Sequence, residues 1–505
     1  MRQALPIILF ILLGGTSCKK FLAQKSQSDL TPVTTEDYSQ LLFGTGYPLS
    51  VDVFAEQLLF MDDDIQSYSG GPTDLNSEQQ PLPIFSWQPD YYQQVTNNGF
   101  AGVAATNMNA YKNYYKHIAG CNIAIQYADS TLGPQADKDY LKGQAYALRA
   151  YYYLMLVNLY GRPYNDSTTT PAQSPGVPLI LSSNLYETMP GRNSVAEVYR
   201  SIIADLDSAA GRLDGEKRIG DIFRINHIAA HLLASRTNLY LGQWDSVISN
   251  ASYVLNYQPQ LMDLNTWGVN TGWYYGTLPF KTIVGADNVE TIWTYGSLGE
   301  YWVSGYNNFS YDVSVDLANQ YQPDDLRAQI YFSATPPFLL QYSAPLFQGQ
   351  KKDYVRNDNT FTACSFRTSE AVLNRAEAYA QKYKLNGDNT AAQNALKDLN
   401  MLRSKRFDPS TYQPLGAMTP DSLLQFCRNE RRRELFQEGY HRWFDLRRYG
   451  MPAITHYYTP AAGTDIKYVL NAHDPQYTLP IPADAMLLNT NLVQNPIGPE
   501  RQPSN

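Results

Sequence analysis

The amino-acid sequence predicts a mainly α-helical protein in which tetratricopeptide-like helical pairs form a scaffold that carries a long insertion of irregular loops and short strands. Three observations predict it. Apolar residues recur at three-to-four spacing through 107–129 and 137–160, the period of a packed helix. Residues 226–255 and 369–406 carry the same period, each interrupted by one glycine, Gly242 or Gly387, as in a helix-turn-helix repeat unit. Between these units, residues 257–363 change character, being rich in Gly, Asn, Pro, Trp and Tyr with only short alternating runs such as ETIWTYG.

Composition narrows the class. With 505 residues, 44% hydrophobic and 17% charged, the chain can bury a large core and is neither disordered nor fibrous. A net charge of -8 disfavours a polyanionic partner, so no nucleic acid is expected. Forty tyrosines leave two readings open. The amphipathic ring suits half-polar contact surfaces, and it also serves a core in which Tyr replaces Phe.

Residues 1–17 place Arg2 before the apolar run 7–13 and small residues Gly14, Gly15, Thr16 and Ser17 before Cys18. That pattern is a secretory signal, too short to span a bilayer. A cysteine directly after the small residues resembles a bacterial lipoprotein cleavage site, with Gly15 where such sites usually have Leu, so Cys18 is the expected point of lipid attachment and of membrane anchoring. Residues 18–35 read as a polar tether. Cys121, Cys364 and Cys427 imply no disulfide framework and are expected on helices as small core residues.

Taken in order, the chain shows a first helix over 35–43. Asp62, Asp63 and Asp64 then form a run without the ligand spacing or glycine of a metal loop, and are expected to cap or face solvent. Arg149, inside the apolar helix 137–160, needs a carboxylate partner. A helix over 194–213 follows. His227 and His231 stand four apart, the spacing of a two-imidazole metal site, but no third ligand accompanies them and packing is the expected role. Thr419 and Pro420 mark a helix start, and the apolar stripe should run to a stop near Gly439. That stripe passes through Arg428 and Arg431, so charges should face inward, paired as Arg431 with Glu434 or Glu430 with Arg433. An ionic lock between packed helices is the expectation, since the interleaved acids cancel a phosphate-binding field.

The run NERRRELFQEGYHRWFDLRRYG at 429–450 closely resembles the C-terminal signature of the RagB/SusD family, surface nutrient-binding lipoproteins of Bacteroidetes-type bacteria. ALRAYYYLMLVNLYGRPY at 147–164, GVPLI at 176–180 and YTLPIPADAMLLNTNLVQNP at 477–496 resemble further motifs of that family, with 164–175 as a local departure. The resemblance implies a SusD-like fold, with 36–256 as its N-terminal part, 257–363 as the insertion and 364–505 as its C-terminal part. It also implies a non-catalytic outer-membrane lipoprotein without cofactor that binds an oligo- or polysaccharide and delivers it to a SusC-like TonB-dependent transporter.

Sugar rings present apolar C–H faces and polar edges, which aromatic platforms flanked by amides or carboxylates satisfy. The insertion supplies both, and its expected ligand contacts are Trp267, Trp273, Tyr274, Tyr275, Tyr301, Trp302 and Tyr306. Trp293, in the alternating ETIWTYG, is expected in the core. Two other readings stand beside this one: a helical-repeat adaptor for a peptide or protein, and a lipoprotein glycoside hydrolase, for which neighbours such as Asp324 and Asp325 do not predict a facing pair.

Overall fold

Helical periodicity sets where this chain coils, and capping residues set where each helix begins. A computed structural model describes residues 31–49, 55, 57–67, 79, 81–97, 109–184, 188–266, 283, 288–296, 311–331, 364–460 and 465–504. Helix α1 (Thr35–Gly46) starts behind Thr34, whose hydroxyl accepts from the Asp37 N–H while the Asp37 carboxylate accepts from the Thr34 N–H, a capping box. The short helices α2 (Leu58–Met61), α3 (Leu82–Phe85) and α4 (Tyr91–Asn97) follow, with strand β1 (Ile65–Ser67) after α2. The long helices α5 (Ala110–Tyr127) and α6 (Gln135–Tyr160) come next, then α7 (Val195–Leu213), which repeats the capping box with Ser194 and Glu197. Helices α8 (His227–Leu241) and α9 (Trp244–Tyr257) turn on Gly242, at φ +71° in the left-handed region that favours glycine.

The insertion contributes β2 (Thr291–Tyr295), β3 (Tyr311–Val313), α10 (Val315–Ala318) and α11 (Arg327–Ile330). Strand β4 (Cys364–Arg367) leads into α12 (Thr368–Asn386) and α13 (Asn389–Arg403), joined through Gly387 at φ +67°. The chain then forms α14 (Pro420–Glu434), α15 (His441–Arg448), β5 (Ile454–Tyr458), β6 (Ile466–Leu470) and α16 (Ala483–Leu488). The strands pair antiparallel as β1–β3, β2–β4 and β5–β6.

Neighbouring helices stack in sequence. Helix α5 packs between α1 and α6, α7 between α6 and α8, and α9 between α8 and α12, which also holds α13 and α14. The helical array therefore continues directly from α9 to α12, and the insertion branches off it. The second half of helix α6 is fully enclosed, with every residue from Ala147 to Tyr160 buried. Arg149 finds the carboxylate it requires: Nε and Nη2 donate to the two oxygens of Asp205 at 2.8 and 2.7 Å, and Nη1 donates to Asn122 Oδ1 at 2.8 Å. The tyrosines of this layer belong to the core. Tyr152 donates to the Gly46 carbonyl at 2.6 Å, Tyr153 to Ile180 at 2.9 Å, and Tyr47 to Gln144 at 2.9 Å.

Three expectations are corrected. Helix α14 begins at Pro420 under Thr419 as predicted but ends at Glu434, because Gln437, Gly439 and Tyr440 all take positive φ and reverse the chain into α15. Cys364 lies on β4 opposite Tyr295, whereas Cys121 and Cys427 lie on helices; all three are buried free thiols. Asp62 and Asp64 are buried rather than solvated: the distant Arg432 reaches Asp64, and Asp62 accepts from the Asp64 N–H.

Candidate functional site

The expected ligand contacts Trp267, Trp273, Tyr274, Tyr275, Tyr301, Trp302 and Tyr306 lie outside the described residues, as does Cys18. The described chain on either side of them shows how their segments are rooted. Segment 267–282 follows Leu264, whose N–H donates to the Lys405 carbonyl at 3.0 Å. It precedes Ile283, whose carbonyl accepts from Asn288 Nδ2 at 2.7 Å. Segment 297–310 leaves from Tyr295, paired with Cys364 across β2–β4, and Gly296, whose N–H donates to Pro48 at 2.8 Å. It returns at Tyr311, opposite Ser67 on β1. Trp293, expected in the core, is fully buried between these roots, stacked on Tyr295 and edge-on to Phe366.

These roots are fixed by a buried ionic network centred on α14. Glu434 Oε1 accepts from Arg406 Nη2 at 2.8 Å, Tyr331 OH at 3.1 Å and Arg367 Nη1 at 3.3 Å. Its Oε2 accepts from Arg406 Nε at 3.0 Å and Arg327 Nη1 at 3.1 Å. Arg367, closing β4, also binds Glu290 and Glu438, at 2.6 and 2.8 Å. Arg406 binds Glu290 at 2.6 Å, just before β2. Arg327, opening α11, binds Asp325 at 2.7 Å and Glu430 at 2.8 Å. Glu430 further holds Arg403 and Arg433. Among the described residues, five carboxylates (Asp325, Glu290, Glu430, Glu434, Glu438) thus face five guanidiniums (Arg327, Arg367, Arg403, Arg406, Arg433), and their charges balance.

Burial alone would raise the Glu434 carboxyl, but Arg406, Arg367 and Arg327 hold it well below the usual carboxylate range. Burial opposes the charge of Glu430 likewise, and Arg327, Arg433 and Arg403 overcome it. Carboxylates held ionised by several guanidiniums have no proton to give and little basicity, which makes this network a frame rather than acid–base machinery.

Of the two pairings expected at i,i+3, Glu430 with Arg433 forms. Arg431 instead binds Asp445 at 2.9 Å and donates to Asn374 Oδ1 at 2.6 Å, leaving Glu434 to the arginines beneath the insertion. The roles of Glu290, Arg327, Arg367 and Arg406 carry one faint sequence signal. Each is a charge set beside a short apolar run or helix end: Glu290 and Arg327 within the insertion, Arg367 just after it and Arg406 just after α13.

His227 and His231 are used within the scaffold. His231 Nδ1 lies 2.7 Å from Asn250 Oδ1 and Nε2 lies 3.1 Å from Asp214 Oδ1, with the ring stacked on Tyr253. His227 Nδ1 meets Tyr253 OH at 3.1 Å. Among the described residues no group of three or more His, Cys, Asp or Glu could hold a metal ion.

Two family models match the chain. One, described as starch-binding and associating with the outer membrane, covers residues 20–241; the other, described as the SusD family, covers 286–497. Similar solved structures extend over nearly the whole chain. A SusD superfamily protein from Bacteroides thetaiotaomicron is 21% identical with TM-score 0.67, covering 92% of this chain and 100% of its own. One from Bacteroides vulgatus is 22% identical with TM-score 0.66, covering 93% and 100%. A SusD-like carbohydrate binding protein, also from Bacteroides vulgatus, is 20% identical with TM-score 0.63, covering 91% and 97%. No curated protein matches. With its helical array, its branching insertion and both halves matched by models of one family, this chain belongs to the SusD family.

Proposed function

We propose that this protein is a non-catalytic lipoprotein, anchored through Cys18 to the outer membrane and facing the cell exterior, that captures an oligo- or polysaccharide and delivers it to a SusC-like TonB-dependent transporter. The observation that carries the reading is the rooting of the aromatic-rich segments 267–282 and 297–310 on strands and turns bound to a balanced, buried ionic frame. A rigid base of that kind lets aromatic platforms meet a ligand with little ordering cost. The printed description of one similar structure, a carbohydrate binding protein, agrees with a glycan as ligand. No described helix is long and apolar enough to cross a membrane.

The test is affinity electrophoresis of the soluble form starting after Cys18, through gels containing a panel of plant and microbial polysaccharides. Retardation in one gel, lost in Trp273→Ala with Trp302→Ala, supports capture by the insertion. Migration unchanged in every gel refutes it.

A second reading, a helical-repeat adaptor, is favoured by one observation. Helices α7, α8 and α9 enclose an open groove of about 190 Å³, lined by apolar Ile203, Leu206 and Ala234 and polar Asp207, His231 and Asn250. A peptide bound there would be insensitive to the Trp273 and Trp302 substitutions and sensitive to Ala234→Trp.

A further inference from the structure

His456, on β5, has both ring nitrogens against main-chain carbonyl oxygens: Nδ1 lies 2.7 Å from Phe85 O, and Nε2 lies 2.7 Å from Asp62 O. A carbonyl oxygen only accepts, and a neutral imidazole carries a single N–H. In the neutral ring, one of the two contacts would set a nitrogen lone pair against oxygen lone pairs at hydrogen-bonding distance. Only the imidazolium donates to both. The side chain is 2% exposed, so solvent offers neither nitrogen an alternative. Phe85 and Trp87 stack on the ring with centroids 4.2 and 4.0 Å away, and π faces favour a cation over a neutral ring.

The charges around it point the same way. The corner between α2 and β1 brings Asp62, Asp63 and Asp64. Arg442, from α15, grips Asp63 through Nε and Nη2 at 2.6 and 2.7 Å, and Arg432, from α14, binds Asp64 at 2.6 Å and Asp316 near the surface. Phe85 and Trp87 bring no titratable group. Among the described residues these two guanidiniums pair with Asp63 and Asp64 and leave Asp62 without one, and a protonated His456 supplies the missing positive charge. The rival arrangement puts the proton on Asp62, whose carboxyl is pushed up by burial and by Asp64 and Asp63. Burial likewise draws the His456 ring down, to about 4, against the pull of Phe85 O, Asp62 O and Asp63. The His456 contacts decide between the two: Asp62 Oδ1 accepts from the Asp64 N–H at 2.9 Å, a contact that either protonation state of the carboxyl allows, whereas both ring nitrogens of His456 face acceptors and only the imidazolium donates to both.

We propose that His456 is an imidazolium in the folded protein and acts as a cationic pin, fastening the β5–β6 hairpin to α3 and to the Asp62 corner from which β1 departs. The hairpin continues that attachment, since the Thr459 N–H donates to Ser67 Oγ at 3.2 Å and Ser67 pairs with Tyr311, where segment 297–310 ends. The pin thereby positions one root of the segment carrying Tyr301, Trp302 and Tyr306. Its bearing on ligand capture rests on the function proposed above; its protonation and its hold on β1 do not. A ring whose folded pKa lies above its unfolded value of about 6.5 stabilises fully below that value, and the contribution is lost as pH rises through the folded pKa.

The test is nitrogen NMR of the full soluble chain with labelled histidine, free of ligand, together with amide exchange at β1 and β3. Six histidines are present, and His456 is assigned by its loss in His456→Gln. Should that variant not fold, single Gln substitutions of His117, His227, His231, His441 and His473 assign it by elimination. The expected result is two ring N–H groups on His456 at pH 7.5. Raising the pH should remove one together with exchange protection at Gln66 and at Ser314, whose N–H donates to the Asp64 carbonyl, beyond the intrinsic pH effect on exchange, and His456→Gln should lack that coupled loss. A single N–H at pH 7.5 would place the proton on Asp62 and overturn the charge assignment. Two N–H groups with β1 and β3 protection indifferent to both pH and substitution would overturn the pin.

Discussion

Replacing Glu434 by glutamine changes almost nothing in shape and tests the frame at its centre. Glu434 is fully buried, and from the described residues Oε1 accepts three hydrogen bonds and Oε2 two. An amide must turn its NH2 toward one of these sets, so at least two bonds are lost and donors are set against guanidinium donors. The substitution also leaves five guanidiniums facing four carboxylates. Removing one partner from a buried ion pair typically costs about 3–5 kcal/mol, a large share of the roughly 5–15 kcal/mol that holds a domain folded. An exposed pair supplies the contrast. Lys384 and Asp421 lie 2.9 Å apart with side chains 46% and 83% exposed, and breaking such a pair should cost about 0–1 kcal/mol. Denaturant midpoints of wild type, Glu434→Gln and Lys384→Ala are the assay, with midpoint as the readout because a chain of this length need not unfold in one step. A Glu434→Gln midpoint no lower than that of Lys384→Ala would refute the frame.

Three further outcomes follow from the same geometry. Because Glu430 and Glu434 are held below the usual carboxylate range, their stabilisation is complete above the unfolded value of about 4.3 and is lost as pH falls through the folded values. Thermal unfolding scanned from pH 7 to 3 should therefore fall more steeply in wild type than in Glu434→Gln. Gly387→Ala meets no atom within 4 Å but must hold φ +67°, so it should cost about 1–2 kcal/mol in chemical denaturation, from the backbone alone. Arg149→Lys exchanges a fork that spans both Asp205 oxygens and Asn122 for a point charge that cannot reach all three, and should cost about 1.5–3 kcal/mol in the same assay.

What sequence reveals here depends on how far apart the interacting residues lie. Helix starts at Ser194 and Thr419, and the glycine turns at 242 and 387, are decided within a few residues and can be read directly. The end of α14 is misread because Leu435 and Phe436 extend the apolar stripe. They are buried in the turn, and burial does not require helical backbone. The inward-facing charges of 428–450 are legible from that stripe, but their partners are not. Glu434 draws on Arg327, Arg367 and Arg406, so the i,i+3 assignment to Arg431 picks the wrong cation. The aspartates at 62–64 read as a capping or solvated run because Arg432 and Arg442, which bind Asp64 and Asp63, lie more than 360 residues away along the chain. The seven expected aromatic contacts lie outside the described residues, so their part in binding rests on the electrophoresis proposed above.

The scattered family motifs have a common physical destination, the C-terminus of α6. Its last carbonyls have no intrahelical donor and carry the negative end of the helix dipole. Leu479, in the closing motif, donates its N–H to the Leu159 carbonyl at 2.8 Å. Arg192 Nη2 and Asn495 Nδ2 donate to Tyr160 O at 2.8 and 2.9 Å, and Arg447 Nη2 donates to Gly161 O. Burial pushes both guanidiniums down, to about 10, which still leaves them charged at neutral pH. Arg192 also reaches the carbonyls of Gly176, Pro175 and Val493, and Arg447 that of Tyr477. A lysine ammonium could not span such a ring of acceptors, whereas the planar fork of arginine serves several at once. Segments near 160, 176, 192, 447, 479 and 495 thus converge on one helix end. Changing any of them strands a buried carbonyl or a buried cation, which gives a physical reason for a signature spread across more than 300 residues to act as a unit.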